Sequence, residues 1–164
     1  MNTRTRFLMA TTALMMASTA GAHGDMHSGK AGPVVKEQKD WGIAGDAKAA
    51  LRTVTLTMDD QMRFTPSKLS FKQGETVRFV IKNQGKLLHE LVIGTPAELK
   101  AHAAMMAKFP TMAHEEPYMS HVAPGNSGGL VWTFNRAGDF EFACLVAGHF
   151  EAGMRGTITV ASAR

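Results

Sequence analysis

The chain has 164 residues, enough for one domain with a hydrophobic core and too few for two domains of ordinary size. Residues 1–22 carry two of the 18 basic residues and none of the 14 acidic ones, so the rest of the chain is close to neutral. With no concentrated basic stripe, this charge gives no support to a nucleic-acid partner, and we expect none.

The first segment has the pattern of an export signal. Two arginines precede an apolar run at residues 7–16 that is too short to span a bilayer, and Ala20-Gly-Ala22 is a cleavage site of the A-x-A kind. We expect residues 1–22 to be removed and the mature chain to start at His23 in the periplasm. A buried amphipathic helix is the alternative, but no polar face recurs through the run. No later stretch approaches membrane-spanning length.

Residues 23–50 are rich in Gly, Ala, Lys and Asp and poor in periodic apolar residues. This composition predicts a flexible or loosely docked arm. Trp41 is the exception and is a candidate anchor for the arm.

From residue 51 the pattern changes to short β-type segments separated by turn residues. Apolar alternation predicts strands near residues 54–57, 69–71, 77–82, 90–93, 130–134, 139–144 and 156–160. Strands of this length at this spacing, mostly without intervening helices, predict an all-β domain over residues 51–164. We expect an antiparallel sandwich of two sheets.

One segment interrupts the strands. Thr95 is a suitable N-cap, Pro96 suits the first helical position, and Glu98 is placed to complete a capping box. The sequence therefore predicts a short helical insert from about Pro96 to Lys108. The prolines at 110 and 117 then predict irregular chain up to the glycines at 125, 128 and 129.

The chain has one cysteine, Cys144. An exported protein enters an oxidising compartment where cysteines normally pair, so this residue is a free thiol, an intermolecular bridge or a metal ligand. Its neighbours favour the metal ligand. Cys144 ends a predicted strand, and Gly148 and Gly153 allow the following loop to fold back and bring His149 and Met154 toward the same point.

Thiolate, imidazole and thioether form a soft ligand set, and two histidines with one cysteine and a distant methionine make up the type 1 copper arrangement. The loop supplies three ligands, and His89, at the head of a strand, is the candidate fourth. Taken singly, each residue type has an ordinary structural role: a cysteine as a small buried hydrophobic residue, a methionine as core packing, and a histidine as a hydrogen-bonded polar group. Their combination in an exported protein favours copper, as Cu(I) and Cu(II).

The upstream histidine and the Cys-x4-His-x4-Met loop before the last strand resemble the cupredoxins, whose members include azurin, plastocyanin, pseudoazurin and auracyanin. The resemblance covers about residues 51–161, including the stretches at 64–69 and 74–77. It implies a Greek-key sandwich in which His89, Cys144 and His149 are equatorial copper ligands and Met154 is axial. Among cupredoxins, the sequence most resembles the small periplasmic copper-tolerance cupredoxins of bacteria, which share its Met- and His-rich start.

Two features depart from the family pattern. Glu90 follows His89, where many cupredoxins carry Asn or Ser that steadies the ligand loop by hydrogen bonding. The two spacings of the loop together match neither azurin nor plastocyanin. We expect the Glu90 carboxylate to alter the hydrogen bonds around the ligands and so the properties of the site.

Other Met and His residues are candidates for a second copper site, since thioethers favour Cu(I) and imidazoles accept both oxidation states. The arm offers His23, with its free amino terminus after cleavage, and also Met26 and His27. The insert offers His102, Met105, Met106, Met112, His114, Met119 and His121, of which the first three share one helical face. The sequence favours the arm; ordinary packing of the helix and a solvated arm are the alternative.

Three functions fit these observations. The first is a periplasmic redox protein of copper tolerance, and the second is a soluble electron carrier to a respiratory reductase or oxidase, whose partner would dock near His149. The third is a metal-free interaction sandwich. We do not expect an enzyme. A binuclear electron-transfer copper centre needs two cysteines and the chain has one; a multicopper oxidase needs paired His-x-His motifs and the sequence contains none. A second centre built between the subunits of an oligomer is the alternative.

Overall fold

The computed structural model describes residues 36–112 and 114–163. In this part of the chain ten strands and one helix form a two-layer β-sandwich. The elements are β1 Ile43–Ala44, β2 Arg52–Asp59, β3 Arg63–Thr65, β4 Lys68–Lys72, β5 Glu75–Asn83, β6 His89–Gly94, α1 Pro96–Lys108, β7 Met119–Val122, β8 Ser127–Phe134, β9 Gly138–Ala143 and β10 Arg155–Ala161.

Each layer contains five strands. The first sheet has the order β1-β8-β5-β2-β3 and the second has the order β4-β10-β9-β6-β7. The prediction of an all-β, Greek-key sandwich with one helical insert is confirmed. The expectation of purely antiparallel sheets was wrong, because β2 pairs with β5, and β4 with β10, in parallel.

The core lies between the two sheets and follows from the two-residue period of the strands. In β2, Val54, Leu56 and Met58 are buried, while the intervening residues are exposed or half-buried. Three phenylalanines add an aromatic cluster: the rings of Phe71 and Phe134 stack at 4.4 Å, and Phe79 meets both edge-on. This packing makes the sandwich a rigid frame for residues at its ends.

The helix covers the outer face of the second sheet. The Thr95 hydroxyl accepts the backbone N–H of Glu98 and donates to its carboxylate, so the predicted cap is present and α1 has the predicted bounds. Buried residues of α1 and of the strands beneath it form a second apolar cluster of Val92, Leu99, Ala103, Met106, Met119, Ala143 and Leu145. As a result every residue of β6 is buried.

The chain predicted to be irregular after Pro117 contains the strand β7. Its four residues pair with β6 in antiparallel register, with His121 directly opposite Glu90. A segment this short carries too little periodicity to be recognised, and its pairing partner decides its conformation.

The last part of the predicted arm docks on the sandwich. Trp41 is buried, its backbone carbonyl accepts the indole N–H of Trp132, and its ring meets Tyr118 edge-on at 5.3 Å. The strand β1 follows at once and pairs with Trp132 and Thr133 of β8. In the described ranges, no helix combines the length and apolar character needed to cross a membrane.

Candidate metal centre

Three of the predicted ligands converge at one end of the sandwich. His89 begins β6, Cys144 follows the last residue of the neighbouring β9, and His149 lies in the loop beyond it. The thiol Sγ is 3.3 Å from Nδ1 of His149 and 3.9 Å from Nδ1 of His89. The potential ligand atoms of these residues all lie within 4.8 Å of one another. Antiparallel pairing of β6 with β9 brings the start of one strand beside the end of the other.

The loop from Cys144 to Met154 is closed by its own backbone hydrogen bonds. The N–H of Cys144 donates to the carbonyl of Met154 at 3.1 Å, and the N–H of Met154 donates to the carbonyl of His149 at 3.0 Å. Gly148 and Gly153 both have φ near +90°, as the fold-back of the loop requires. Met154 is fully buried and belongs to the main core, so the loop is held at both ends.

The electrostatics of the site favour a bound cation. Cys144 is fully buried, and burial raises the pKa of its thiol to about 12. The thiolate is therefore costly to form unless a positive charge is placed beside it. Burial, and then the neighbouring His89, lower the pKa of His149, which keeps that imidazole neutral and able to bind metal.

The donor set fits copper. It offers one sulfur and two imidazole nitrogens around a common point, with the buried Met154 at the end of the same loop. Soft sulfur with imidazole is the combination found in type 1 copper sites. His89, Cys144, His149 and Met154 could thus hold a copper ion.

Two polar residues that sequence reasoning missed support His89. The Nε2 atom of His89 lies 3.1 Å from a carboxylate oxygen of Asp60, which also accepts the N–H groups of Lys86 and Leu87. These backbone hydrogen bonds lower the pKa of Asp60, with a further contribution from His89. Asp60 therefore orients the ring so that Nδ1 faces Cys144.

Asn83 braces the chain that leads into His89. Its buried amide donates to the carbonyls of Leu87 and Val122 at 2.8 Å, and its Oδ1 accepts the N–H of Gly85. Asp60 follows a strand and Asn83 ends one, positions at which polar residues normally face water. The sequence carries no signal that distinguishes them.

Glu90 links the centre to the next loop residue. Its side chain is buried, one oxygen accepts the N–H of Leu145 at 2.9 Å, and the other lies 2.7 Å from Nε2 of His121. Its backbone N–H contacts the Sγ of Cys144 at 3.4 Å. Burial raises the pKa of Glu90, and His121 acts in the opposite direction. The carboxylate thus ties the ligand loop to the start of β6.

The residues proposed for a second copper site divide into three groups. His102, His114 and His121 lie near one another, and Met106 and Met112 line a pocket with two of these histidines. Met105 is 40% exposed and Met119 is buried in the second apolar cluster. The arm residues His23, Met26 and His27 lie outside the described residues.

Comparison with known proteins gives a consistent result. The family model for copper binding proteins of the plastocyanin/azurin family matches residues 52–161. A copper-resistant cuproprotein CopI from Rubrivivax gelatinosus is 48% identical over 93% of this chain and 90% of its own. The protein of the same name from Pseudomonas aeruginosa is 36% identical over 73% of this chain and 82% of its own.

Solved structures share the fold. Auracyanin B is 22% identical, with a TM-score of 0.62 over 73% of this chain and 96% of its own. The auracyanin of the photosynthetic bacterium Roseiflexus castenholzii is 20% identical, with a TM-score of 0.59 over 68% of this chain and 98% of its own. At this level of identity the likeness shows the sandwich architecture alone.

Proposed function

The chain belongs to the plastocyanin/azurin family of copper-binding proteins, and from this premise we propose that it is a periplasmic type 1 copper protein of copper resistance. Its copper ligands in this proposal are His89, Cys144, His149 and Met154. The observation that carries the proposal is the convergence of one thiol sulfur and one nitrogen from each of two imidazoles within 4.8 Å of one another.

The role in copper resistance is supported by the relatives. Two copper-resistant cuproproteins match the chain at 48% and 36% identity, and each match spans more than four fifths of the relative's own length. A shared function is a reasonable inference at this coverage. The donor set supports a redox role, since thiolate with imidazole suits a copper ion that changes oxidation state.

The chain's own residues prepare the site for a metal. The Cys144 thiol loses its proton on binding, and the pKa raised by burial keeps it protonated until a cation arrives. Asp60 and Glu90 fix the ring of His89 and the loop after Cys144 by hydrogen bonds. Copper, when bound, supplies one-electron chemistry. Because these positions are held by the sandwich and by loop hydrogen bonds, the protein need not rearrange during that chemistry.

A visible absorption spectrum tests the ligand set. We expect the purified mature protein to develop an intense thiolate-to-copper charge-transfer band on addition of Cu(II), and Cys144→Ser to show none. His102→Gln is the matched control, because it removes a histidine outside the centre and should leave the band unchanged. A wild-type protein without the band would refute the type 1 assignment.

Growth in copper tests the biological role. Deletion of the gene should increase the sensitivity of the host bacterium to copper, and wild type but not Cys144→Ser should restore tolerance. Unchanged growth of the deletion strain would argue against a role in copper resistance, but it would not affect the assignment of the copper ligands.

Export and processing have a direct test. In the proposed organisation residues 1–22 are a signal peptide, 23–50 an arm and 51–164 the copper domain. Mass spectrometry of protein from the periplasmic fraction should give a mature chain starting at His23. A full-length chain confined to the cytoplasm would contradict this proposal.

An electron carrier is the second candidate, because apolar surface lies beside the centre. Leu87 and Leu88 are 47% and 46% exposed and directly precede His89, while His149 is partly exposed. Such a patch suits transient docking of a redox partner. Fast electron exchange with a respiratory oxidase or reductase of the host, slowed by Leu87→Asp, would favour this function. No exchange with either would exclude it.

A further inference from the structure

We propose that the chain carries a second metal site, for Cu(I), between α1 and β7. Its ligands are His102 and His114 with the thioethers of Met106 and Met112, and we call this group the histidine pocket. It is separate from the centre at Cys144 and adds a second copper ion to the proposed function.

Two imidazoles of the histidine pocket already point at each other. The Nε2 atoms of His102 and His114 are 2.8 Å apart, and the ring centroids are 4.7 Å apart. In the metal-free protein one of these nitrogens carries the shared proton. Two nitrogens at about 2.0–2.1 Å from one tetrahedral ion are about 3.3 Å apart, so a small opening of the pair admits a metal.

Thioethers complete a soft donor set. Met106 follows His102 by one helical turn and therefore lies on the same side of α1. Met106 and Met112 line a cavity of ≈ 380 Å³ together with His114 and His121. Imidazole with thioether favours Cu(I) over harder cations such as Mg²⁺. Met112 is 39% exposed, which leaves a soft ligand open to solvent at the mouth of the cavity.

The charges of the cavity favour a cation. Glu90 and Glu115 are among its lining residues. Burial lowers the pKa of His102, and His114 and His121 act in the same direction because neighbouring imidazolium ions repel one another. The lowered pKa favours the neutral form of His102, which has a lone pair for a metal.

The histidine pocket is also connected to the first centre. His121, whose ring centroid is 6.3 Å from that of His114, contacts the Glu90 carboxylate at 2.7 Å. Glu90 in turn binds the backbone of Leu145 and presents its own N–H to Cys144. His121 and Glu90, which contact each other at 2.7 Å, thus lie between the two sites.

Anaerobic Cu(I) titration against a chromophoric chelator tests the site. The full chain should carry Cys144→Ser, which removes the thiol, and the comparison adds His102→Gln with His114→Gln. His89, His149 and Met154 remain in both variants and can still bind Cu(I). The quantity to compare is therefore the difference in bound Cu(I) equivalents between Cys144→Ser and the variant that also carries the two pocket substitutions. We expect the loss of one equivalent. Unchanged stoichiometry and affinity would overturn the proposal.

A matched control separates the pocket from the arm. The substitutions His23→Gln, Met26→Leu and His27→Gln should leave the pocket equivalent in place. If the arm substitutions remove it instead, the second site belongs to the arm and the proposal is wrong.

Folding of the pocket variant is checked independently. In the wild-type background, His102→Gln with His114→Gln should retain the visible copper band of Cys144. The band tests the centre at Cys144 and the titration tests the histidine pocket, so either proposal can fail without the other. Should this variant not fold, Met112→Leu at an exposed position replaces it. Weaker Cu(I) binding with an unchanged circular dichroism spectrum is expected, and unchanged affinity would refute the assignment.

Discussion

Replacement of Glu90 separates its hydrogen-bonding role from its charge. Glu90→Ala leaves the buried N–H of Leu145 without an acceptor, which costs about 1–3 kcal/mol. The lost contact with the partly exposed His121 adds up to about 1 kcal/mol. Glu90→Gln keeps an oxygen for Leu145 and removes the desolvation cost of a buried carboxylate, so we expect a loss below about 1 kcal/mol.

Urea and thermal unfolding of the copper-free protein measure these differences. A loss of about 1–4 kcal/mol lowers the melting temperature by roughly 3–12 °C in a chain of this size. Glu151→Ala, which removes an exposed carboxylate from the ligand loop, is the matched control and should change stability by less than about 0.5 kcal/mol. Equal stability of the Ala and Gln variants would refute the argument that the hydrogen bond to Leu145 carries the effect.

Three further predictions concern the centre and the core. Asp60→Ala should weaken copper binding about 10–100-fold in chelator competition, because His89 loses the partner of its Nε2 atom; unchanged affinity would contradict this role. The pKa of the Cys144 thiol rises from 9.0 to about 12 on folding, so the copper-free protein should lose stability as pH rises through this interval. The difference between the urea midpoints of wild type and Cys144→Ser should be constant below pH 9.0 and should change above it, as wild type alone loses stability. Parallel pH profiles over the whole range would exclude the thiol as the cause. Gly156→Ala would clash with the buried ring of Phe142 and should cost about 1–3 kcal/mol in urea unfolding, whereas an unchanged midpoint would show that the ring can move aside.

Local patterns were enough to predict much of this structure. The cap at Thr95 and the proline after it determine where α1 begins, and both act within one turn of chain. The close approach of His149 to Cys144 depends on a loop of four intervening residues with a glycine in it, so spacing alone indicated it. The alternation in β2 and β5 likewise reflects a core on one side of each strand.

The features that the sequence did not reveal depend on distant partners. The short strands β1, β3 and β7 have two to four residues and owe their conformation to pairing with longer neighbours. The parallel pairing of β2 with β5 is a property of chain topology and leaves no local pattern. Asp60 contacts a histidine 29 residues away, and a carboxylate after a strand looks the same in sequence whether it faces water or a ligand.

The docking of residues 39–44 also has a consequence for assembly. β8 lies beside β5 on one side, and on its other side the two residues of β1 take up the backbone groups of Trp132 and Thr133. Without this cover the strand would present free N–H and C=O groups, which is the usual template for pairing with a second molecule. The strand β1, at the end of the predicted arm, thus protects this edge of the sheet from pairing with the edge of another molecule. A chain shortened beyond Ala44 would leave this part of β8 as an unpaired strand edge, which favours aggregation.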